Sequence, residues 1–488
     1  MKRKVLKTIL LALAIAILFP VFLSVQAKDE GVYPSTKSIK KFLKSLSNST
    51  TIPTVCVYTD NNAEILSREE YVDCRIYTIN GGKAYNMSAV EAGIRVRGNS
   101  TAYGGNKEMI RKNQVPYRIK FKTKTNMFGL NDGAKCKSWV LLKAEARLLN
   151  NDIAFRLGRT ILRDNYCSDG IIVHVYVNGT YKGIYELCEQ SQVNKHRINI
   201  PETPENYKGT DIGYLVEIDN YGEKPCFKIT YNGYASFTDI KGVTKNFHYA
   251  YYSVKSDVYS DDQVKYINKV ITNTFKVLYE ACVNGKYYVL DEDNNLVKAT
   301  KKQRNKKDAD GNLLDPAEAV IERIIDIDSV VDMYILHEIV RSCDVGEGSF
   351  YMYVDHTETS EDRRLTFTCP WDFEWAYTGD INDWHAAAFN TQDFEETYGE
   401  RSNPWFIVLM SQDWFVQKVK DRWTELRTTG KKDKTDPITL CIKEEKQVVE
   451  TYNDDLLKAG KNSVNLANNL ISWVEKRIKV LDGWFLDG

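Results

Sequence analysis

The chain has 488 residues, 43% of them hydrophobic and 12% aromatic with 30 Tyr, which is the composition of a folded protein large enough to divide into lobes or domains. Lys plus Arg and Asp plus Glu number 66 each, and four of the cations fall within the first 27 residues, leaving 62 against 66. That near-balance gives no reason to expect a nucleic-acid partner.

In chain order, Lys2, Arg3, Lys4 and Lys7 form a cationic lead, an apolar run follows from Ile9 to about Val25, and Val25-Gln26-Ala27 offers small residues for cleavage. Residues 1–27 therefore read as an export signal, and the mature chain is expected to begin near Lys28 and to be secreted or held at the cell surface. The alternative is an uncleaved anchor, because the run approaches the length needed to cross a bilayer; a membrane is expected as a partner only in that case. Residues 28–53 read as a polar linker with a short helix near Ile39–Leu46.

From 54 to 200 the signals are those of strands: Thr54–Tyr58, Tyr71–Thr78, Gly93–Arg97, Tyr117–Phe121, Trp139–Leu142, and Ile172–Val177 returning through Tyr181–Leu187 across an Asn178-Gly179 turn. A helix is predicted over Leu149–Leu162, with Ile153, Phe155, Leu157 and Ile161 on one face. Residues 201–488 read as helix-rich, with helices near Val264–Leu278, Asp328–Val340, Phe415–Leu426 and Val464–Phe485, and an exposed insertion at about 286–315. The insertion's acidic runs lack the Gly and Glu spacing of a calcium loop and read as solvated turns. The expected fold class is α+β, with a strand-rich lobe, a helix-rich lobe and a cleft between them.

Ten cysteines are scattered without a Cys-x-x-Cys pair or a His at ligand spacing, which argues against structural zinc. Cys343 and Cys369 each precede an acidic motif, but no His or Asn stands beside them to activate a thiol.

Those two acidic motifs carry the chemistry. In protein kinases an Asp that orients the attacking hydroxyl is followed five residues later by a metal-binding Asn, then by a strand pair, then by a metal-binding Asp. Asp344, Ser349 and Asp372 occupy these places, with the predicted strands Phe350–Val354 and Leu365–Thr368 between them. Arg118, Lys120 and Lys122 alternate along one strand and share a face suited to phosphate. Trp371 and Tyr185 offer flat aromatic faces for a base, and Glu189 could hold a lysine, contact the nucleotide, or pair with Lys195 or Arg197. A glycoside hydrolase using Asp344 and Asp372 as paired carboxylates is a further possibility, ranked below phosphoryl transfer because of the basic strand.

Taken together, Gly93–Thr101 (GIRVRGNST), Val115–Phe121 (VPYRIKF), Lys137–Leu142 (KSWVLL), Asn178–Gln190, Gly213–Asp219, Asp344–Asp355, Pro370–Glu374 (PWDFE) and Trp473–Asp482 resemble, in order, the CotH kinase family, atypical kinases named after spore coat protein H. The resemblance implies a divergent protein-kinase-like two-lobed fold that uses ATP with Mg2+ or Mn2+ to phosphorylate an exported protein. Carried over by position, it makes Asp344 the catalytic residue and Asp372 the metal ligand; the Ser349 hydroxyl could serve a second metal, a poorer ligand than an amide carbonyl unless Glu347 or Glu374 assists. It implies phosphate contacts from Arg97, Gly98, Asn99 and Ser100 in the turn and from Lys120 in the first lobe, beside the candidates Tyr185, Glu189 and Trp371 that the residues themselves suggest. The alternative reading is a catalytically weak or inactive kinase-like scaffold that serves in surface or coat assembly.

Overall fold

A computed structural model describes residues 32–98, 100–103, 115–144, 147, 149–219, 221–229, 236–247, 251–389, 403–428, 435–459 and 461–486. The export segment expected at 1–27 lies outside the described residues. Among the described residues no helix is long and apolar enough to cross a membrane. The architecture is mixed α and β, as the composition and periodicity predict.

Seven strands close into a barrel: β1 (Thr54–Thr59), β2 (Val72–Ile79), β3 (Val90–Val96), β4 (Tyr117–Thr125), β5 (Cys136–Lys143), β6 (Gly170–Val177) and β7 (Thr180–Glu189), in spatial order 1-2-3-4-5-7-6. Neighbours are antiparallel except at the seam, where β1 runs parallel to β6 with Thr54 opposite His174. The alternation seen in the sequence fills the interior: Val55, Val57, Ile76, Ile94, Ile119, Phe121, Trp139, Leu141, Val175, Tyr185 and Leu187 form one buried cluster. Each such side chain contributes about 1.5–3 kcal/mol of burial. Closure leaves no open sheet edge.

The helix expected near Ile39–Leu46 spans α1 (Thr36–Ser47), and it is docked rather than part of a free linker. Its Ile39 and Leu46 pack on Cys56, Tyr58, Tyr77 and Ile79 on the outside of the barrel. Between β5 and β6 the chain forms α2 (Asn150–Ile161), whose apolar face joins the larger core.

A second sheet of five strands has the order β12-β11-β8-β10-β9, built from β8 (Gly213–Asp219), β9 (Cys226–Lys228), β10 (Tyr251–Val254), β11 (Phe350–Asp355) and β12 (Thr366–Thr368). Helices α3 (Asp261–Asn284), α4 (Pro316–Ile321), α5 (Ile327–Val340), α6 (Pro404–Leu409), α7 (Asp413–Leu426), α8 (Pro437–Ala459) and α9 (Lys461–Phe485) complete this part. Helix α3 begins at a Ser260/Gln263 capping box and ends at Gly285 in the left-handed conformation. Helix α5 is apolar around most of its circumference and is buried almost completely, as such a helix must be. The insertion at 286–315 is more ordered than loops alone: Tyr288–Leu290 pairs with Leu296–Lys298, and Val289 and Ala299 are buried. No disulfide joins any of the ten cysteines, all of which lie among the described residues.

Where the barrel meets α2 and α8, three carboxylates are buried together: Asp152, Glu186 and Glu445. Arg156 forms ion pairs with Asp152 and Glu445. Burial and mutual repulsion hold the Glu186 and Glu445 carboxyls well above the ordinary range, against the pull of Arg156. A raised carboxyl pKa stabilises the fold below the unfolded value near 4.3 and loses that contribution as pH rises toward the folded value. Glu445→Gln should therefore melt at a higher temperature than the parent at pH 8, and the two should converge by pH 5. Parallel melting temperatures at every pH would remove this account of the cluster.

Candidate functional site

Two loops, one entering β11 and one leaving β12 beside it, meet. The first follows α5, which stops at Arg341 in the left-handed conformation (φ 49°). Its Asp344 carbonyl accepts the Glu347 and Gly348 N–H groups at 3.0 and 2.9 Å, a tight turn that brings the chain to Ser349 (φ 53°) and into β11. The second loop follows β12, with Cys369 at φ 52°, Asp372 at 60° and Tyr377 at 61°. Non-glycine residues in this region each cost about 1–3 kcal/mol and gather where a site over-determines the backbone.

The N-terminal end of α2 holds the second loop in place. Asn151 Oδ1 accepts the Phe373 N–H at 2.9 Å, and the Tyr377 hydroxyl donates to the Asn150 carbonyl at 3.1 Å. The Arg147 guanidinium donates to the Glu374 carbonyl and lies 3.6 Å from the Trp375 ring centroid. These contacts fix the loop that carries Asp372 through its neighbours' backbone.

Asp344 and Asp372 line one cleft of about 870 Å3, together with Arg97, Gly98, Arg118 and Lys143 from the barrel and Leu215, Glu217, Asp219 and Tyr351 from the second sheet. The Ser349 hydroxyl bonds to Asp372, and Glu374 lies on the same wall. Burial raises the Asp372 carboxyl above its usual value, opposed by Arg97, the Glu374 N–H, Arg147 and the Ser349 hydroxyl. Glu374 is raised by burial and then by Asp372, and is lowered by Lys143 and Arg147. Two buried carboxyls, the Asp372 charge raising Glu374 and cations standing at their rim, favour a divalent ion that would relieve the repulsion.

Arg97 crosses the cleft, its guanidinium carbon 5.5 Å from the Trp371 ring centroid, and its N–H is held by the Pro116 carbonyl at 3.0 Å. Trp371 also stacks on Phe155, with ring centroids 5.7 Å apart. Gly98 has φ +86°, and a Cβ there would overlap the Thr101 hydroxyl. Gly98→Ala should distort this turn at a cost of about 1–2 kcal/mol in stability, and should weaken nucleotide binding more than Ala substitution at exposed Lys83. Equal effects would show that the turn is not part of the site. Asn99 lies outside the described residues; Ser100 opens the short helical turn Ser100–Tyr103.

Three expected nucleotide contacts lie elsewhere. Lys120 is exposed on β4, opposite Gly93 and Ser138, with its ammonium 6.0 Å from the Tyr71 ring centroid and outside the cleft lining. Tyr185 is fully buried inside the barrel, where its hydroxyl donates to the Val115 carbonyl at 3.0 Å, so its ring cannot stack on a ligand. Glu189 is buried and pairs with Arg197 at 3.0 Å; of the partners weighed it takes the arginine, in the interior rather than on the surface. In their place stand Arg118 and Lys143. Burial and the neighbouring Arg95, Arg97 and Arg197 lower the Arg118 pKa, a sign of crowded positive charge.

A family model described as CotH kinase protein matches residues 94–481, from the end of β3 to the last turns of α9. The chain belongs to the CotH kinase family. Comparison with curated proteins gives no match. A kinase of this kind uses ATP and a divalent metal in general terms, and the wall formed by Asp372, Ser349 and Glu374 suits a hard cation that arrives with phosphates, which needs only one or two carboxylates from the protein. Among the described residues no group of three or more His, Cys, Asp or Glu is arranged as a self-sufficient metal cage.

Proposed function

We propose that the protein is an exported ATP-dependent protein kinase that transfers the γ-phosphate to a hydroxyl of an extracytoplasmic or coat protein. The barrel and the helix-flanked sheet serve as its two kinase-like lobes. The observation that carries the reading is the convergence of Asp344, Ser349 and Asp372 on one cleft beneath Arg97, Arg118 and Lys143.

Asp344 accepts the proton of the acceptor hydroxyl and aims its oxygen at the phosphorus. Asp372, with the Ser349 hydroxyl and Glu374, would hold Mg2+ or Mn2+, which would supply positive charge to the phosphate oxygens. Arg97 and Arg118 supply further positive charge, and Trp371 carries Arg97 on its face so that the guanidinium is oriented before the nucleotide arrives.

The test is incubation of the protein with labelled ATP, Mg2+ or Mn2+ and extracts of exported proteins, beside an Asp372→Ala variant shown to be folded. Label should appear with the parent and be lost with the variant. Equal labelling in both would overturn the assignment of Asp372. ATP binding without transfer to any acceptor would favour the scaffold reading, for which Ser349, a poorer ligand than an amide carbonyl, is the supporting observation.

A further inference from the structure

We propose that Lys143 is the residue that grips the nucleotide's phosphates, and that Glu374 on the metal-binding loop, rather than a carboxylate of the helix that follows, is its positioning partner. The inference rests on the kinase reading above and adds to it a residue that the sequence motifs leave out.

The chain path places Lys143. It is the last residue of β5, the strand that leads into α2; the chain then returns through β6 and β7 and leaves the barrel along Gln190–Val193, which lines the cleft. In protein kinases the strand before the first helix carries a phosphate-binding lysine, and a glutamate of that helix orients it. The first-turn acid of α2 is not free for this. Asp152 is buried and committed to Arg156, 3.7 Å away, in the carboxylate cluster, and it does not line the cleft as its neighbour Asn151 does.

Lys143 meets Glu374 instead, its ammonium 3.6 Å from Glu374 Oε1, both side chains partly exposed within the cleft. Glu374 sits two residues beyond Asp372 on a loop already fixed by Asn151 and Arg147. A lysine is a compact charge on a flexible stem with three donors, suited to follow phosphate oxygens. The basic residues beside it have other ties: Arg118 donates to Ser138 at 3.3 Å, and Arg147 is held against Trp375 and the Glu374 carbonyl. The glutamate's extra methylene, relative to aspartate, is what lets a residue of the metal loop span to β5. The pair therefore ties the phosphate contact to the metal loop, so that the two bind together.

The test measures binding by calorimetry on the full chain, with ATP plus Mg2+ and separately with adenosine, for the parent, Lys143→Met, Glu374→Gln, Glu374→Asp, the Lys143→Met/Glu374→Gln double variant and Lys120→Met. Lys143→Met should weaken ATP about tenfold to a hundredfold, the range for charge-assisted hydrogen bonds, and leave adenosine unchanged. Glu374→Asp should weaken ATP as Glu374→Gln does, the double variant should fall short of the product of its singles, and Lys120→Met should match the parent. ATP affinity unaffected by Lys143→Met, or ATP and adenosine weakened alike, would overturn the assignment while leaving the kinase reading in place. A parent that binds adenosine and ATP not at all would overturn the kinase reading and this pairing with it.

Discussion

Asp344→Asn should lower the rate of phosphate transfer by on the order of 10² to 10⁴ while leaving ATP affinity within about twofold, because a positioned general base acts on the acceptor hydroxyl and not on the nucleotide. Amide replacement keeps the size of the side chain and the turn beneath it, whose hydrogen bonds run from the Glu347 and Gly348 N–H groups to the Asp344 carbonyl and do not involve the carboxylate. The measurement is a steady-state comparison of kcat and KM for ATP at saturating acceptor. A fall in kcat with constant KM supports the role. A proportional rise in KM with constant kcat would show that Asp344 binds substrate uniformly and does no chemistry.

The largest effect on stability is expected at Glu338, six residues before Asp344 on α5. Its side chain and that of Arg477 from α9 are both fully buried and joined at 2.6 Å. The remaining carboxylate capacity is taken by the His385 and Ala386 N–H groups at 2.7 and 2.8 Å, and Arg477 also donates to the Ile381 and Asp383 carbonyls. One carboxylate thus pins the segment 381–386 and the last helix to the helix that leads into the Asp344 loop. Glu338→Ala would leave the guanidinium buried without its counter-charge and two N–H groups without an acceptor. Loss of one partner of such a pair costs about 3–5 kcal/mol. Chemical denaturation should show a loss of that size; a loss below about 1 kcal/mol would mean that water or a rearranged segment 381–386 replaces the carboxylate.

Much of the fold was legible because its strands alternate and its buried helices do not. Each barrel strand was visible as an apolar run or alternation, and α5 as a helix at about Asp328–Val340 leading to Asp344. The three-residue strand Cys226–Lys228 and the four-residue strand Tyr251–Val254 carry too few positions to establish a period. Helix α8 was missed because its apolar positions, such as Ile442 and Val449, are spaced through charged residues that solvate its outer face.

At the site, the acidic motifs were readable as an ordered set, whereas the cations were not. Arg118, Lys120 and Lys122 do share a face, but that face points into the cleft only at Arg118; Lys122 pairs with Asp73 and Lys120 is exposed. A period of two gives the face of a strand and says nothing of how far along it the cleft extends. Tyr185 obeys the same parity and falls inside the barrel. Lys143 ends its strand one residue past the apolar run Trp139–Leu142, the position where pattern reading is weakest, and only its neighbour Glu374, distant in sequence, gives it a role.

The most direct measurement compares label delivered to protein from ATP carrying the isotope at the γ-phosphorus with that from ATP carrying it at the α-phosphorus, under the same metal and acceptor. In-line displacement with Asp344 serving the acceptor hydroxyl and Asp372 holding the ion predicts γ-label on protein, none from the α position, and loss of the γ signal in Asp344→Asn. Label from the α-phosphorus, or γ-label undiminished in the variant, would contradict phosphoryl transfer at this cleft.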